Sequence, residues 1–188
     1  MYWKKIKENK LSLKSLAKKI PFLNKFFKNT YIKKKSENFK NISENVDIDE
    51  KLVVFESFQG RNYSCSPKAI YEYMISNPQY KDYKYVWVFR DTKAHGEFPS
   101  NTKLVEFDSE ESFKAYSKAG TWIVNSRLRD FIVPKENQKY IQCWHGTPFK
   151  KIGCDVTCAG NATSTVEQIY KEYTEEAKKI HRIISPSK

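Results

Sequence analysis

The chain has 188 residues and a formal net charge of +12, and 39% of its residues are apolar and 15% are aromatic. This length fits one domain of ordinary size with a short appendage, and the aromatic side chains supply enough bulk for a hydrophobic core. The composition therefore excludes a wholly disordered chain. Apolar runs such as Leu52 to Phe55 are far shorter than the roughly 20 residues of a membrane-spanning helix. Four cysteines are too few for a disulfide scaffold.

The positive charge is concentrated in the first 40 residues, which hold thirteen Lys, no Arg and two acidic residues, whereas residues 41–188 are almost neutral. Apolar residues recur at helical spacing on both sides of Pro21, which itself suits the first turn of a helix. We therefore predict a basic amphipathic arm over residues 1–40, with two short helices at about 10–20 and 21–31. The apolar residues of this pattern are Leu13, Leu16, Ile20, Leu23, Phe26 and Phe27.

Three interpretations of this arm differ in the partner that they imply. Aromatic residues such as Trp3, Phe22 and Tyr31 are of the type that rests at a bilayer interface, and lysines are attracted to anionic lipid, which favours an anionic membrane surface as the partner. Alternatively, the two helices pack on their own domain and the lysines are solvated. Nucleic-acid binding lacks support because the arm has no Arg and the domain has no basic surplus, so no nucleic-acid partner is predicted.

The remainder of the chain alternates strand and helix patterns behind a polar segment, residues 41–50, that is predicted as a linker. Strands are predicted at 52–58, 85–89, 104–107, 121–124, 140–144 and 182–184. Capping patterns precede three helices: Ser66-Pro67, Asp108 with Glu111, and Ser164 with Glu167. Because near-continuous apolar strands between amphipathic helices are typical of a parallel sheet covered on both faces, residues 51–188 are predicted as one α/β, Rossmann-like domain.

In such sheets ligands bind beyond the carboxyl ends of the strands, which selects the loops after Phe58, Val124 and Trp144. The loop after Trp144 begins with His145, and a histidine side chain ordinarily titrates near pH 6.5, which suits a general base. Glycine allows a close backbone approach, threonine can donate a hydrogen bond, and lysine can contact phosphate. The other candidate residues of this loop are accordingly Gly146, Thr147, Lys150 and Lys151. An ordinary surface turn with an incidental histidine explains the same pattern equally well.

The other two loops contribute further candidates. After Val124, Arg127 is a candidate phosphate clamp, with Asn125 and Ser126 as hydrogen-bonding neighbours, although a solvated loop is as good an interpretation. In the loop after Phe58, Gly60 is a candidate substrate-binding residue, although a plain turn with polar residues is the favoured interpretation of this loop. A zinc site built from His145 and the cysteines is not favoured, because no CxxC pair is present and the spacing fits no common zinc motif. No metal and no cofactor are predicted.

Residues Tyr140 to Asp155, which read YIQCWHGTPFKKIGCD, resemble the signature of the CDP-glycerol glycerophosphotransferase family, which includes the teichoic acid primases and polymerases. Three upstream stretches are similar to the same family in the same order, and the resemblance covers about Leu52 to Lys188. These stretches are Glu56-Ser57-Phe58 with Gly60 and Pro67, Val86-Trp87-Val88, and Trp122 to Arg127. Cys154 departs from the larger apolar or aromatic residue that is expected there, without consequence for the chemistry.

The resemblance implies a GT-B architecture, two Rossmann-like domains with the active site between them, of which this sequence is expected to contain the first. The second domain would hold most contacts to CDP-glycerol, so the isolated chain is expected to be inactive. The implied reaction transfers glycerol phosphate from CDP-glycerol to a lipid-linked acceptor at the cytoplasmic face of the plasma membrane. His145 would act as the base, and Lys150, Lys151 and Arg127 would hold phosphates. The short arm favours a primase-like member over a large polymerase.

Two alternatives to this function remain open at the level of sequence. The first keeps the chemistry and replaces the donor with CDP-ribitol. The second is a non-catalytic module that binds a membrane or a partner protein, left by truncation of the enzyme.

Overall fold

The computed structural model describes residues 21–146, 151–158 and 165–184, except for the side chains of residues 21–26. The chain divides into two compact units, Met1–Asn41 and Ile42–Lys188. The first of the two helices predicted for the arm, at about 10–20, lies outside the described residues. Within the described part of the chain, no helix is long and apolar enough to cross a membrane.

The second helix of the arm is longer than predicted. Helix α1 runs from Pro21 to Glu44, past the predicted end near residue 31, because no Gly or Pro interrupts the chain after Pro21. Averaged over its 24 residues, α1 shows almost no separation of apolar and charged faces, so the amphipathic pattern predicted for 21–31 does not extend along the helix. The predicted linker, 41–50, is also wrong as a continuous segment, since α1 occupies its first residues and a strand begins at Asp49.

Six strands and three helices occur in the described residues of the second unit. The strands are β1 (Asp49–Glu56), β2 (Lys84–Phe89), β3 (Thr102–Glu106), β4 (Ala119–Val124), β5 (Lys139–Gln142) and β6 (Arg182–Ile183). The helices are α2 (Cys65–Ser76), α3 (Glu110–Lys118) and α4 (Val166–Ala177), and short 3₁₀ turns lie at Pro78–Tyr80 and Gly153–Asp155.

All strands pair in parallel in the order β3-β2-β1-β4-β5-β6. This is the strand order of a doubly wound Rossmann sheet, so the predicted fold class is confirmed.

Alternating side chains of the sheet are buried under helices on opposite faces. On one face Phe55 and Trp87 pack with Tyr71 of α2, in a cluster in which the Phe55 and Trp87 rings stack 5.3 Å apart. On the other face Trp122 of β4 packs against Tyr116 of α3, and the Trp122 indole N–H donates to the Tyr116 carbonyl at 2.9 Å. The predicted covering of both faces is therefore confirmed.

The capping residues of α3 and α4 each lie one position after the predicted ones. Ser109 caps α3 by accepting a hydrogen bond from the Ser112 N–H at 3.1 Å, while Asp108 has φ +61° and so cannot adopt the extended backbone of an N-cap. In α4, Thr165 and Gln168 form a reciprocal capping box, one residue after the predicted pair. In both places two residues with capping side chains adjoin in sequence, and the second of them caps the helix.

Candidate active site

Three loops that carry candidate residues meet at the carboxyl edge of the sheet, because β1, β4 and β5 are adjacent strands. Chain order reverses between β1 and β4, and the crevice beyond such a reversal is the usual ligand site of a doubly wound sheet. Ser57 and Phe58 follow β1, Asn125 follows β4, and His145 follows β5 at a distance of three residues. Hydrogen bonds between the loops show that they lie together.

His145 is held by its Nδ1 atom, which lies 2.8 Å from the backbone carbonyl oxygen of Asn125. A carbonyl oxygen can only accept a hydrogen bond, so Nδ1 carries the proton in the neutral ring. Nε2 is then unprotonated and has its lone pair available to accept a proton. The fixed tautomer and orientation are those of a general base whose second nitrogen is held by an oxygen acceptor.

Asn125, predicted as a substrate-binding residue, connects the loops through its side chain. The residue is fully buried; its Oδ1 accepts a hydrogen bond from the Phe58 N–H at 2.7 Å, and its Nδ2 donates to Ser57 Oγ at 3.2 Å. Since its backbone carbonyl also accepts the hydrogen bond from His145 Nδ1, Asn125 connects the ends of β1, β4 and β5. In this structure its side chain bonds to groups of the protein itself, the Phe58 N–H and the Ser57 hydroxyl.

Two segments of strained backbone flank His145. Phe58 and Gln59 have φ values of +50° and +56°, and Trp144 has φ +50°, in the left-handed region that is costly for residues with a side chain. The Phe58 ring lies 5.4 Å from the imidazole of His145, and Trp144 stacks on Tyr173 of α4 at 6.2 Å and 14°. Such strain persists only where surrounding contacts enforce it, and it is typical of functional sites.

Gln142, a buried polar residue inside β5, was not singled out from the sequence. Its Oε1 accepts from the Trp144 N–H at 3.1 Å, and its Nε2 donates to the Ser126 carbonyl at 3.3 Å and to the Tyr140 hydroxyl at 3.1 Å. The Tyr140 hydroxyl in turn donates to Glu176 of α4 at 2.6 Å. This network holds Trp144, the strained residue that precedes His145. The signal that could have revealed it is an amide among the apolar and aromatic residues of 140–144.

The remaining predicted residues after β4 and β5 have varied environments. Arg127 is paired with Glu172 at 3.0 Å and lies over the Tyr173 ring at 4.7 Å, so a phosphate would have to compete with this carboxylate. Gly146 is exposed with φ +131°, a conformation that side chains rarely adopt, and Lys151 is exposed. Thr147 and Lys150 lie outside the described residues.

Gly60 is placed by the fold beside β2 and β3. It has φ +74°, and a Cβ atom added there would lie 3.0 Å from the Arg90 nitrogen and 3.3 Å from Phe107 Cβ. Its carbonyl accepts a hydrogen bond from the Arg90 N–H at 2.7 Å. The structure thus explains this glycine by close packing of the turn after β1.

Glu56, the last residue of β1, is a buried acid that was not predicted as a site residue. The Tyr116 hydroxyl donates to its Oε2 at 2.8 Å, while Oε1 is buried without a partner among the described residues. Burial raises the pKa of the Glu56 carboxyl to about 7, against the opposing effects of the Tyr116 hydrogen bond and the charges of Arg129 and Arg90. Its signal in the sequence is an acidic residue directly after an apolar run, residues 52–55.

No group of three or more metal-ligating side chains occurs in residues 21–146, 151–158 and 165–184. Cys143, one of the cysteines considered for zinc, is buried, and burial raises the pKa of its thiol to about 12. A thiol with so high a pKa is a poor metal ligand and a poor nucleophile.

The fold and this site define a doubly wound α/β protein with a positioned histidine at its ligand-binding edge. A family model described as CDP-Glycerol:Poly(glycerophosphate) glycerophosphotransferase matches residues 38–188. The chain is 36% identical over 157 residues to the teichoic acid poly(glycerol phosphate) polymerase of Staphylococcus epidermidis, an alignment that covers 83% of this chain and 21% of the relative. It is 33% identical to the Bacillus subtilis polymerase of the same description, in an alignment that covers 97% of this chain and 24% of that relative. The chain therefore belongs to the CDP-glycerol glycerophosphotransferase family.

Solved structures agree with this assignment. The structure of the wall teichoic acid polymerase TagF matches with a TM-score of 0.72 at 34% identity, covering 86% of this chain and 40% of the polymerase chain. A histidine-to-asparagine variant of that polymerase soaked with CDPG matches with a TM-score of 0.73, covering 88% of this chain and 43% of the variant chain. The α/β fold is thus that of a GT-B type enzyme. The chain spans between about a fifth and a third of the length of the curated relatives, with 21%, 24% and 35% covered in three of them.

Proposed function

We propose that this chain carries the base and the acceptor side of a site that transfers glycerol phosphate from CDP-glycerol to a lipid-linked acceptor in teichoic acid synthesis. Family membership supports the reaction class. The relatives are poly(glycerol phosphate) polymerases, which favours a glycerol donor over ribitol. The observation that carries the proposal is the hydrogen bond from His145 Nδ1 to the Asn125 carbonyl, since it leaves Nε2 ready to accept a proton at the ligand edge.

In the proposed reaction the acceptor hydroxyl oxygen attacks the β-phosphorus of CDP-glycerol while His145 Nε2 takes the hydroxyl proton. The bond from the β-phosphorus to the bridging oxygen breaks, and CMP leaves with that oxygen. A phosphodiester now joins the glycerol to the acceptor. The Asn125 carbonyl keeps the imidazole oriented and stabilises the positive charge that it gains. Phosphoryl transfer depends mainly on positioning and charge stabilisation, a task proposed for Lys150, Lys151 and Arg127.

The test is CMP release from CDP-glycerol, or from CDP-ribitol in a parallel reaction, by the full-length gene product with a lipid-linked acceptor. Replacing His145 with Ala should lower turnover by about 10²–10⁴-fold, the usual contribution of a general base. The control is His181→Ala at the opposite edge of the sheet, which should leave turnover within a few-fold of wild type once folding is verified. Near-normal turnover of the His145 variant would remove this residue from the mechanism, and faster release from CDP-ribitol would reassign the donor.

We further propose that residues 1–40 hold the protein at the cytoplasmic face of the plasma membrane, where a lipid-linked acceptor is available. Thirteen lysines in this segment support attraction to anionic lipid. In α1, Phe27 and Tyr31 lie four residues apart and are 57% and 54% exposed, which supports contact with an apolar surface. Packing of the arm on protein is the competing explanation.

Vesicle co-sedimentation tests this proposal and separates its two contributions. Replacing five arm lysines with Gln should abolish the preference for anionic over neutral vesicles, whereas Phe26→Ser with Phe27→Ser should weaken binding to both. The arm set is Lys14, Lys18, Lys19, Lys25 and Lys28. The matched control removes five exposed lysines of the second unit, namely Lys81, Lys93, Lys103, Lys118 and Lys139. If both lysine sets had the same effect, binding would follow net charge alone and the arm would not be the membrane element.

A further inference from the structure

Two arginines are bonded to the strained turn that follows β1. The Arg61 guanidinium donates to the Phe58 carbonyl at 3.0 Å, and Arg90 Nε donates to the Gln59 carbonyl at 2.9 Å. Both side chains are exposed, and each uses only part of its guanidinium in these bonds. The Phe58 ring of the same turn lies 5.4 Å from the His145 imidazole, so this turn contacts both the candidate base and the arginines.

A third arginine joins this group through an aromatic ring. The Arg90 and Arg129 guanidinium carbons lie 5.0 and 5.5 Å from the centre of the Phe107 ring, so they are no farther apart than the sum of those distances. Arg129 also forms a 3.4 Å ion pair with Asp108, whose side chain is 14% exposed. Arg90 and Arg129 both act electrostatically on buried Glu56, which places their charges on the same corner of the sheet.

The positive charge of this corner exceeds its paired negative charge. Asp108 is paired with Arg129, whereas Arg61 and Arg90 donate side-chain hydrogen bonds to uncharged carbonyl oxygens. Planar guanidinium groups with free N–H edges match the oxygens of phosphate, and their stacking on a ring orients them in advance. The corner lies beyond the carboxyl ends of β1, β2 and β3, on the ligand edge of the sheet.

We propose that Arg61, Arg90 and Arg129 form a binding site for a phosphodiester of the acceptor, separate from the phosphate that reacts. The proposal rests on the proposed function for the identity of the acceptor, a glycerol phosphate polymer or primer. In the strand order β1 and β4 lie between β2, which Arg90 follows, and β5, which His145 follows, so the site takes a phosphate at some distance from the attacking hydroxyl. Such a contact would hold an anionic acceptor in register while its terminal hydroxyl reaches His145.

The test uses the 188-residue chain and glycerophosphoglycerol, a phosphodiester probe, with arginine Nε–Hε signals followed by NMR. The chain has five arginines, so each signal can be assigned by substitution. The signals of Arg61, Arg90 and Arg129 should shift together on titration, and Arg182 should not respond. Arg129→Gln and Arg61→Gln should each weaken binding roughly 3–10-fold, as expected for an exposed charge-assisted contact. Arg182→Gln, which removes an exposed arginine bonded to one carbonyl, is the matched control and should have no effect.

Additional ligands distinguish an acceptor phosphodiester from a nucleotide phosphate, and a comparison with CMP release distinguishes the phosphate site from the proposed transfer reaction. Neutral glycerol should cause no shift; tighter binding of CDP-glycerol than of the phosphodiester at these arginines would overturn the acceptor assignment. Equal shifts at Arg182, or unchanged affinity in both Gln variants, would overturn the site. The NMR titration measures binding and not turnover. If the phosphodiester did not bind at these arginines while CMP release was normal, only the phosphate-site inference would be refuted. Specific binding without any CMP release would instead refute the transfer reaction and leave the phosphate site in place.

Discussion

Glu56 allows a quantitative prediction, because a fully buried carboxyl is neutral more readily in the folded chain than in the unfolded one. Burial raises its pKa from 4.5 to about 7. Between these values the folded state binds more protons than the unfolded state, so the free energy of unfolding falls as the pH rises. Each pKa unit corresponds to about 1.4 kcal/mol, so Glu56 costs about 3 kcal/mol of stability above pH 7 and almost nothing below pH 4.5.

Glu56→Gln removes this titration and keeps an oxygen for the Tyr116 hydroxyl, which donates at 2.8 Å in the wild type. Urea unfolding of both proteins at several pH values should therefore give equal stabilities near pH 4. By pH 8 the variant should be more stable by about 3 kcal/mol.

Tyr116→Phe provides a second measurement on the same group. It removes the hydrogen bond that lowers the Glu56 pKa, so the loss of stability with rising pH should extend above pH 7. A constant difference in stability between wild type and Glu56→Gln from pH 4 to pH 8 would refute the assignment of a raised pKa to this carboxyl.

Three further predictions concern the site. Long-range ¹H–¹⁵N NMR of the neutral imidazole rings should show the proton on Nδ1 in His145, because this nitrogen faces the Asn125 carbonyl. In His181 the proton should be on Nε2, because Nδ1 accepts a hydrogen bond from the Tyr140 N–H at 3.3 Å. Identical tautomers in the two histidines would contradict the hydrogen-bond argument. Asn125→Ala should lower the free energy of urea unfolding by about 1–3 kcal/mol, because it leaves the Phe58 N–H without its acceptor; a loss below about 0.5 kcal/mol would show that water replaces the amide. Gly60→Ala should lower the thermal midpoint through both its φ of +74° and its contact with Arg90, so an unchanged midpoint would indicate that the turn rearranges freely.

The fold class, and the position of the candidate residues Asn125 and His145 at the carboxyl edge of the sheet, could be predicted from local sequence. The apolar strands and helix stripes occur in an order that favours a parallel sheet, and the carboxyl-edge rule then selects the loops that carry Asn125 and His145. The charge asymmetry of residues 1–40 is likewise visible without coordinates. These features depend on residue type and short-range spacing, which a sequence displays directly.

Other features depend on which segments become neighbours, and only the tertiary structure determines them. Whether Asn125 faces substrate or the Phe58 backbone depends on the pairing of β1 with β4, residues 67 positions apart. Asp108 and Ser109 are adjacent residues that both suit an N-cap in sequence, and only the structure shows that Ser109 caps the helix. The raised pKa of Glu56 likewise arises from burial under α3, because a carboxyl's protonation depends on the water that the fold removes from around it.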